Sequence, residues 1–245
     1  MINKILKLVK SFLNRFFIKI GLNNHLSESE PKNYSYAYDR FREEELKSSY
    51  DYFKKYFYNA IFLKQNDLRK YAIQKAIEID KDEDNLFLEF GVYKGESTNF
   101  FSKYLKKKLH SFESFKGLDE DWLGSHHAAG DFGDIKIPKL NKNVNLIIGY
   151  VQDTLPKFIL ENKNIKISFV HMDVDVYSTT KFILKELKPY LNDKALICFD
   201  EFYNYQGWKL GEFKAFTELF SEDEYSYKCF AVEGERVVIQ YNKKI

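Results

Sequence analysis

The feature that most constrains this chain is a series of short apolar runs in its second two-thirds: LFLEF (86–90), LHSFES (109–114), NLIIGY (145–150), ISFVHMDV (167–174) and ALICFD (195–200). Segments with helical character lie between most of them, such as Thr98 to Lys107 and Thr179 to Leu191. Strands alternating with helices imply βαβ units and a mostly parallel sheet. After Trp208 the pattern predicts one more helix, Glu212 to Phe220, and then two strands, SYKCFAV and RVVIQYN, separated by EGE. That last pair reads as an antiparallel hairpin added to the sheet edge.

With 245 residues, 44% of them hydrophobic, the chain is long enough for a full core. One α/β domain with an extension fits that length better than two domains. Three regions are expected: 1–26, 27–80 and 81–245. In the second, Phe41, Leu46, Tyr50, Phe53, Phe57 and Ile61 recur at helical intervals, Leu68 to Ile79 reads as another helix, and 80–85 as a charged turn. The first holds Lys4, Lys7, Lys10, Arg15 and Lys19 among Ile, Leu and Phe, with no acid before Glu28. The lysines interrupt the apolar run too often for a membrane span, and no small-residue cleavage site follows. Two readings stay open: a basic amphipathic helix on an anionic membrane surface, or a helix packed on the domain or on a second copy of the chain.

The net charge of +2 provides no global field for nucleic acid, and no basic-aromatic stripe suggests RNA. Cys198 and Cys229 both lie in strand-like apolar runs, which points to buried reduced thiols and a cytoplasmic setting, peripheral to the inner face of a membrane if the basic helix binds it. A disulfide between them stays open at this level.

In open α/β sheets, ligands bind beyond the carboxyl ends of the strands, so the residues there carry the functional reading. The stretch EFGVYKGEST (89–98) turns from strand to helix through Gly91 and Gly95, which free the backbone for a tight turn and close ligand approach. It is neither a G-x-G-x-x-G fingerprint nor a P-loop. Glu89 is unfriendly to a diphosphate and suits an amino-acid ammonium; a bare structural turn is the alternative. Glu113, at the end of the next strand, can accept both hydroxyls of a ribose. Asp153, in GYVQDTLP (149–156), either meets an adenine edge or caps a helix starting near Pro156. Asp173 and Asp175 end the fourth run, and Asp200 and Glu201 the fifth. Four acids converging on one cleft repel each other unless a cation or protons neutralise them, and oxygen-only ligands favour Mg²⁺ or a similar hard ion.

Taken in order, EFGVYKGEST, FESFKGLDEDW, GYVQDTLP, MDVDVYSTT and FDEFYNYQGWKLGEFKAF resemble the macrocin O-methyltransferase (TylF-type) family, over about Leu86 to Asn242. The resemblance implies a class I, Rossmann-like methyltransferase domain at 81–245: a three-layer sandwich on a mostly parallel seven-stranded sheet with a C-terminal antiparallel hairpin. It implies S-adenosyl-L-methionine contacts at Glu89, Gly91, Gly95, Glu113 and Ser114, and a divalent metal at Asp173, Asp175, Asp200 and Glu201. This chain has Asp200-Glu201 where metal-dependent members can carry two aspartates. The implied activity is methyl transfer to a hydroxyl of a sugar or glycan. A sugar hydroxyl needs deprotonation, and Asp173, Asp175 or the pair His126 and His127 in LGSHHAAGDFGD are the candidates to take the proton. The alternatives are another small-molecule hydroxyl or phosphoryl-linked acceptor, or a non-catalytic adenosylmethionine- or partner-binding module. An NAD-dependent oxidoreductase fits worse, because the glycine spacing is wrong.

Overall fold

The computed structural model describes residues 37–80, 85–162 and 165–243. The chain divides into two compact units, Met1–Arg40 and Phe41–Ile245, and the second carries the sheet. The basic helix expected in 1–26 lies outside the described residues. Among the described residues, no helix is long and apolar enough to cross a membrane.

In chain order the elements are α1 (Ala37–Phe57), β1 (Ile61–Leu63), α2 (Gln65–Ile79), β2 (Leu86–Phe90), α3 (Glu96–Ser102), β3 (Leu109–Glu113), β4 (Val144–Ile148), α4 (Val151–Glu161), β5 (Ile167–Met172), α5 (Tyr177–Leu187), β6 (Leu191–Phe199), α6 (Glu212–Thr217), β7 (Tyr225–Ala231) and β8 (Val237–Tyr241). The eight strands among the described residues form one sheet, ordered β1-β7-β8-β6-β5-β2-β3-β4. Strands β4, β3, β2, β5 and β6 run parallel, and β8 is antiparallel to both β6 and β7. The chain builds outward from β2 through β3 to β4, then returns to the other side of β2 with β5. That reversal opens a crevice at the carboxyl ends of β2 and β5.

The period-2 alternation of the strands divides the core. Phe87, Phe169 and Leu196 face α2, where Leu68, Ala72, Ile73 and Ala76 pack on them together with Phe101 of α3. On the opposite face, Leu88, Phe90, Phe112, Val170, Met172, Ile197 and Phe199 meet Phe53, Leu155, Phe158, Ile183, Leu184 and Phe216. Helices thus cover both faces of the sheet, which is the three-layer arrangement expected from the strand and helix pattern. Cys198 and Cys229 are free and buried.

The structure departs from the sequence reading near Ile61. The helical spacing breaks after Phe57, and Ile61–Leu63 pairs in parallel with Cys229–Ala231 of β7, adding an eighth strand at the edge. Branched and aromatic side chains favour a strand there, and the Phe62 ring stacks on Phe230 with centroids 5.8 Å apart. Helix α4 begins at Val151, ahead of the expected start, and takes Pro156 into its interior.

Phe53 of α1 is fully buried. Its ring meets those of Trp208, Phe213, Tyr227 and Phe230 at centroid distances of 5.5, 5.6, 5.6 and 5.8 Å. One side chain therefore ties α1 to the loop after β6, to α6 and to β7. Truncation leaves a cavity that such interlocked rings cannot close. Phe53→Ala is expected to destabilise the protein by about 3–5 kcal/mol, read as a lower urea midpoint at unchanged slope.

Candidate active site

A cavity of about 300 Å³ opens over the carboxyl ends of the strands, where the sequence reading placed the ligand. Its floor is formed by Phe90 and Gly91 after β2, Phe112 and Glu113 of β3, and Asp173 to Asp175 after β5. Gly149 to Gln152 form one side, and Trp122 and Phe132 of the 114–134 loop form another. Gly91 sits at φ +89°, and a Cβ there would overlap the Asp173 carbonyl. Only glycine lets the β2 turn pass this close to β5, where the Asp173 N–H donates to Phe90 O at 3.0 Å.

Glu113 closes the turn from the neighbouring strand. Its Oε2 accepts the N–H groups of Val92 (2.9 Å) and Tyr93 (3.0 Å), and its Oε1 accepts that of Phe115 (2.7 Å). Ser114 also lines the cavity. The structure does not bring Glu89, Gly95 or Asp153 to it. Glu89 points to the α2 face of the sheet, fully buried, where Ser111 Oγ donates to it at 2.8 Å. Gly95 starts α3 at φ +77°, and its missing side chain leaves room for Leu140 and Pro138. Asp153 is exposed in the first turn of α4. Its neighbour Gln152, which the sequence reading passed over, lines the cavity instead and donates to Asp119 Oδ2 at 2.8 Å.

The acids divide into two sets. Asp173, Asp175 and Glu201 each offer a carboxylate oxygen, all within 4.8 Å of one another. Asp175 holds this place with a left-handed backbone, φ +62°. Asp200 is used differently. Arg236, just before β8, grips it with Nε on Oδ1 and a terminal nitrogen on Oδ2, both at 2.6 Å, and Arg69 of α2 stands 3.4 Å away. His171, Asp173 and Asp200 also cluster within 4.8 Å. Both Asp200 oxygens already belong to an arginine fork, however, so that cluster is an ion-pair network and not a ligand set. Of the four acids expected to share a cation, Asp173, Asp175 and Glu201 stand together, and Asp200 is engaged by Arg236. Glu212, read from sequence only as a helix start, is fully buried behind them and accepts the Glu201 N–H at 3.0 Å.

Charge follows from this layout. Burial, and then the nearby Asp200 charge, hold the Asp173 and Glu201 carboxyls well above the ordinary range, and burial pushes Asp175 up to about 6. Burial and then the Asp173 charge raise Glu212. Asp200 goes the other way: burial opposes its charge, but His171 and Arg236 outweigh it and hold the group well below the usual carboxylate range. His171 lies 3.3 Å from Glu89 and 3.7 Å from Asp200, without a well-aligned hydrogen bond to either. Burial works against its charge, yet the two carboxylates raise it to about 9.

The paired histidines stand behind the wall. His127 Nδ1 is 2.9 Å from Asp131 Oδ2, its ring stacks on Trp122, and His126 is exposed. Neither lines the cavity, whereas Trp122 does.

Residues 88–202 match the family described as a methyltransferase domain. Among solved structures, the chain is similar to CalS11, a calicheamicin methyltransferase, with 20% identity, a TM-score of 0.56, and 72% of this chain and 82% of that one covered. An apo structure of CalS11, described as a TDP-rhamnose 3'-O-methyltransferase, gives 18% and 0.54 over 82% and 87%. The O-methyltransferase NovP gives 15% and 0.52 over 73% and 80%. A search of curated sequences gives no match. The fold is that of class I methyltransferases. The matched segment, 88–202, includes the residues that form the cavity floor.

The ion network generates two expectations. Arg236→Met leaves Asp200 as a buried, poorly compensated charge, with an expected loss of about 3–5 kcal/mol in denaturant unfolding. His171, raised from 6.5 to about 9, stabilises the fold fully below its unfolded value, and that contribution is lost as pH rises through about 9. The melting temperature should fall across that window, and His171→Gln should flatten the fall.

Proposed function

We propose that the protein is an S-adenosylmethionine-dependent O-methyltransferase that methylates a hydroxyl of a sugar or glycan with the help of a divalent cation. The observation that carries this reading is the meeting, in one cavity, of a Cβ-free turn at Gly91, the Glu113 carboxylate and the Asp173/Asp175/Glu201 cluster. The sugar acceptor is supported by the likeness to CalS11, a TDP-rhamnose 3'-O-methyltransferase.

The residues suit both groups. Glu113 takes three amide donors on two oxygens, which leaves lone-pair capacity for ribose hydroxyls, and Gly91 and Ser114 line the same space. Asp173, Asp175 and Glu201 form an all-oxygen set, and Glu201 Oε2 is buried without a hydrogen-bond partner. A divalent cation there lowers the pKa of an acceptor hydroxyl and orients it. Without a cation, Asp175, pushed up to about 6, is suited to take a proton near neutral pH. Around them, Trp122 and Phe132 exclude water from the space where the methyl group is transferred.

Titration calorimetry should show binding of adenosylmethionine and its demethylated product but not of NAD. Glu113→Ala removes an acceptor and frees three turn amides, and is expected to weaken cofactor binding by about 1.5–3 kcal/mol; unchanged affinity would sink the assignment. In a screen of nucleotide sugars, methyl transfer should stop on chelation and return with Mg²⁺ or Mn²⁺. Glu201→Gln should raise the metal concentration needed. Full activity after exhaustive chelation would leave acid–base chemistry by Asp175 alone.

A further inference from the structure

A second, smaller cavity of about 140 Å³ adjoins the first and shares two residues with it, Trp122 and Asp175. Its other walls include Val176, Tyr177, Leu210 and Lys214. The wall between the two spaces is fixed in place. Asp119 accepts from Thr179 Oγ1 at 2.6 Å, and Glu120 accepts the Ser178 N–H at 2.9 Å, so the LDEDW segment is pinned to the first turn of α5. Just beyond it, a Cβ on Gly124 would stand 2.5 Å from the Gly207 Cα, so the loop lies flat against the segment after β6. Trp122 is thereby held between the chambers, with its indole N–H buried and without a hydrogen-bond partner.

We infer that the smaller cavity is the acceptor chamber of the proposed methyl transfer, that it takes one uncharged, hydroxylated six-membered ring, and that Trp122 is the partition that sets this limit. The inference rests on the proposed function and adds to it the size, the charge and the position of the acceptor. The volume is that of a single ring, since a cavity of about 150 Å³ holds benzene. The Trp122 ring suits the C–H face of such a ring, and Asp175, common to both chambers, stands where a hydroxyl would enter the larger one. The charges disfavour an anion. Glu120, Asp121 and Asp175 line the chamber, while the Lys214 ammonium is matched by Glu218 at 2.7 Å and lies 3.7 Å over the Tyr177 ring. With Asp175 given to the cation, a uronate or ring phosphate would still meet the Glu120 and Asp121 carboxylates and one ammonium that is already paired. Any attached nucleotide or glycan would extend outward, past Leu123 and Leu210, both of which are exposed.

The test uses the full chain saturated with the demethylated cofactor product, titrated with methyl α-rhamnopyranoside, glucuronate and a disaccharide. The neutral monosaccharide should bind, with glucuronate at least about tenfold weaker. Leu210→Trp fills the chamber from an exposed wall and should reduce monosaccharide affinity about tenfold or more, the size of a small misfit in a closed pocket, while cofactor-product affinity stays the same. Leu123→Trp repeats the block from a second lining residue should Leu210→Trp not fold. Trp122→Ala joins the two chambers and should bind the disaccharide more tightly than the wild type, whose chamber holds one ring and leaves the second outside. Product binding without monosaccharide binding, undiminished monosaccharide affinity in both blocking variants, or glucuronate binding as tight as the neutral ring would each overturn the acceptor chamber and leave the methyltransferase reading standing. Failure of the wild-type protein to bind the cofactor product would instead remove the methyltransferase reading, and the chamber with it.

Discussion

Beneath the cavity, the Arg236 guanidinium closes a two-point fork on Asp200, and much of the site depends on that pair. The carboxyl ends of β5 and β6 carry Asp173, Asp175, Asp200 and Glu201, with Glu212 behind them. Such a group of acids in a low-dielectric interior would drive the strand ends apart. Arg236, Arg69 and His171 supply the opposite charge on the α2 side of the sheet, with Asp200 as their shared anchor. Because Asp200 is satisfied from within, Asp173, Asp175 and Glu201 face the cavity short of positive charge. Short of cations, they hold protons or recruit an ion. The same fork joins the terminal hairpin to the centre of the sheet, so an arginine near the end of the chain completes the electrostatics of strands laid down well before it.

A second constraint is close packing of backbone at the rim. Gly91 allows the β2 turn to touch the end of β5, and Gly124 and Gly207 bring two long loops so near each other that no side chain fits between them. Side chains at these points would open the rim and admit water. The acids Asp119 and Glu120 act in the same direction by tying the loop to α5. These contacts tie down the segment that carries Trp122.

The strand and helix pattern, the terminal hairpin and the location of the cavity were legible in the sequence, because period-2 and period-3.6 burial is written locally in side-chain order. The turn at Gly91, Glu113 at the end of β3 and the acids after β5 and β6 were legible for a related reason: strand ends can be recognised, and parallel strands put their carboxyl ends together. Strand β1 escaped because Ile61 continued a helical spacing by coincidence, and its pairing partner in β7 lies over 160 residues away. Glu89 was misplaced on the cavity because a one-residue step along a strand reverses the face to which a side chain points.

Sequence alone determined the class of fold and which residue types stand at the strand ends, since both follow from local side-chain order. Only the tertiary structure decided which acids act together. Asp200 and Glu201 are neighbours in the chain, yet one is turned to Arg236 and the other to Asp173 and Asp175. That division depends on an arginine delivered by β8 and a glutamate delivered by α6, whose positions are set by long-range packing of the sheet and the aromatic core around Phe53. Local sequence carries no record of such distances, so which acid pairs with arginine and which cluster on the cavity was settled by the fold.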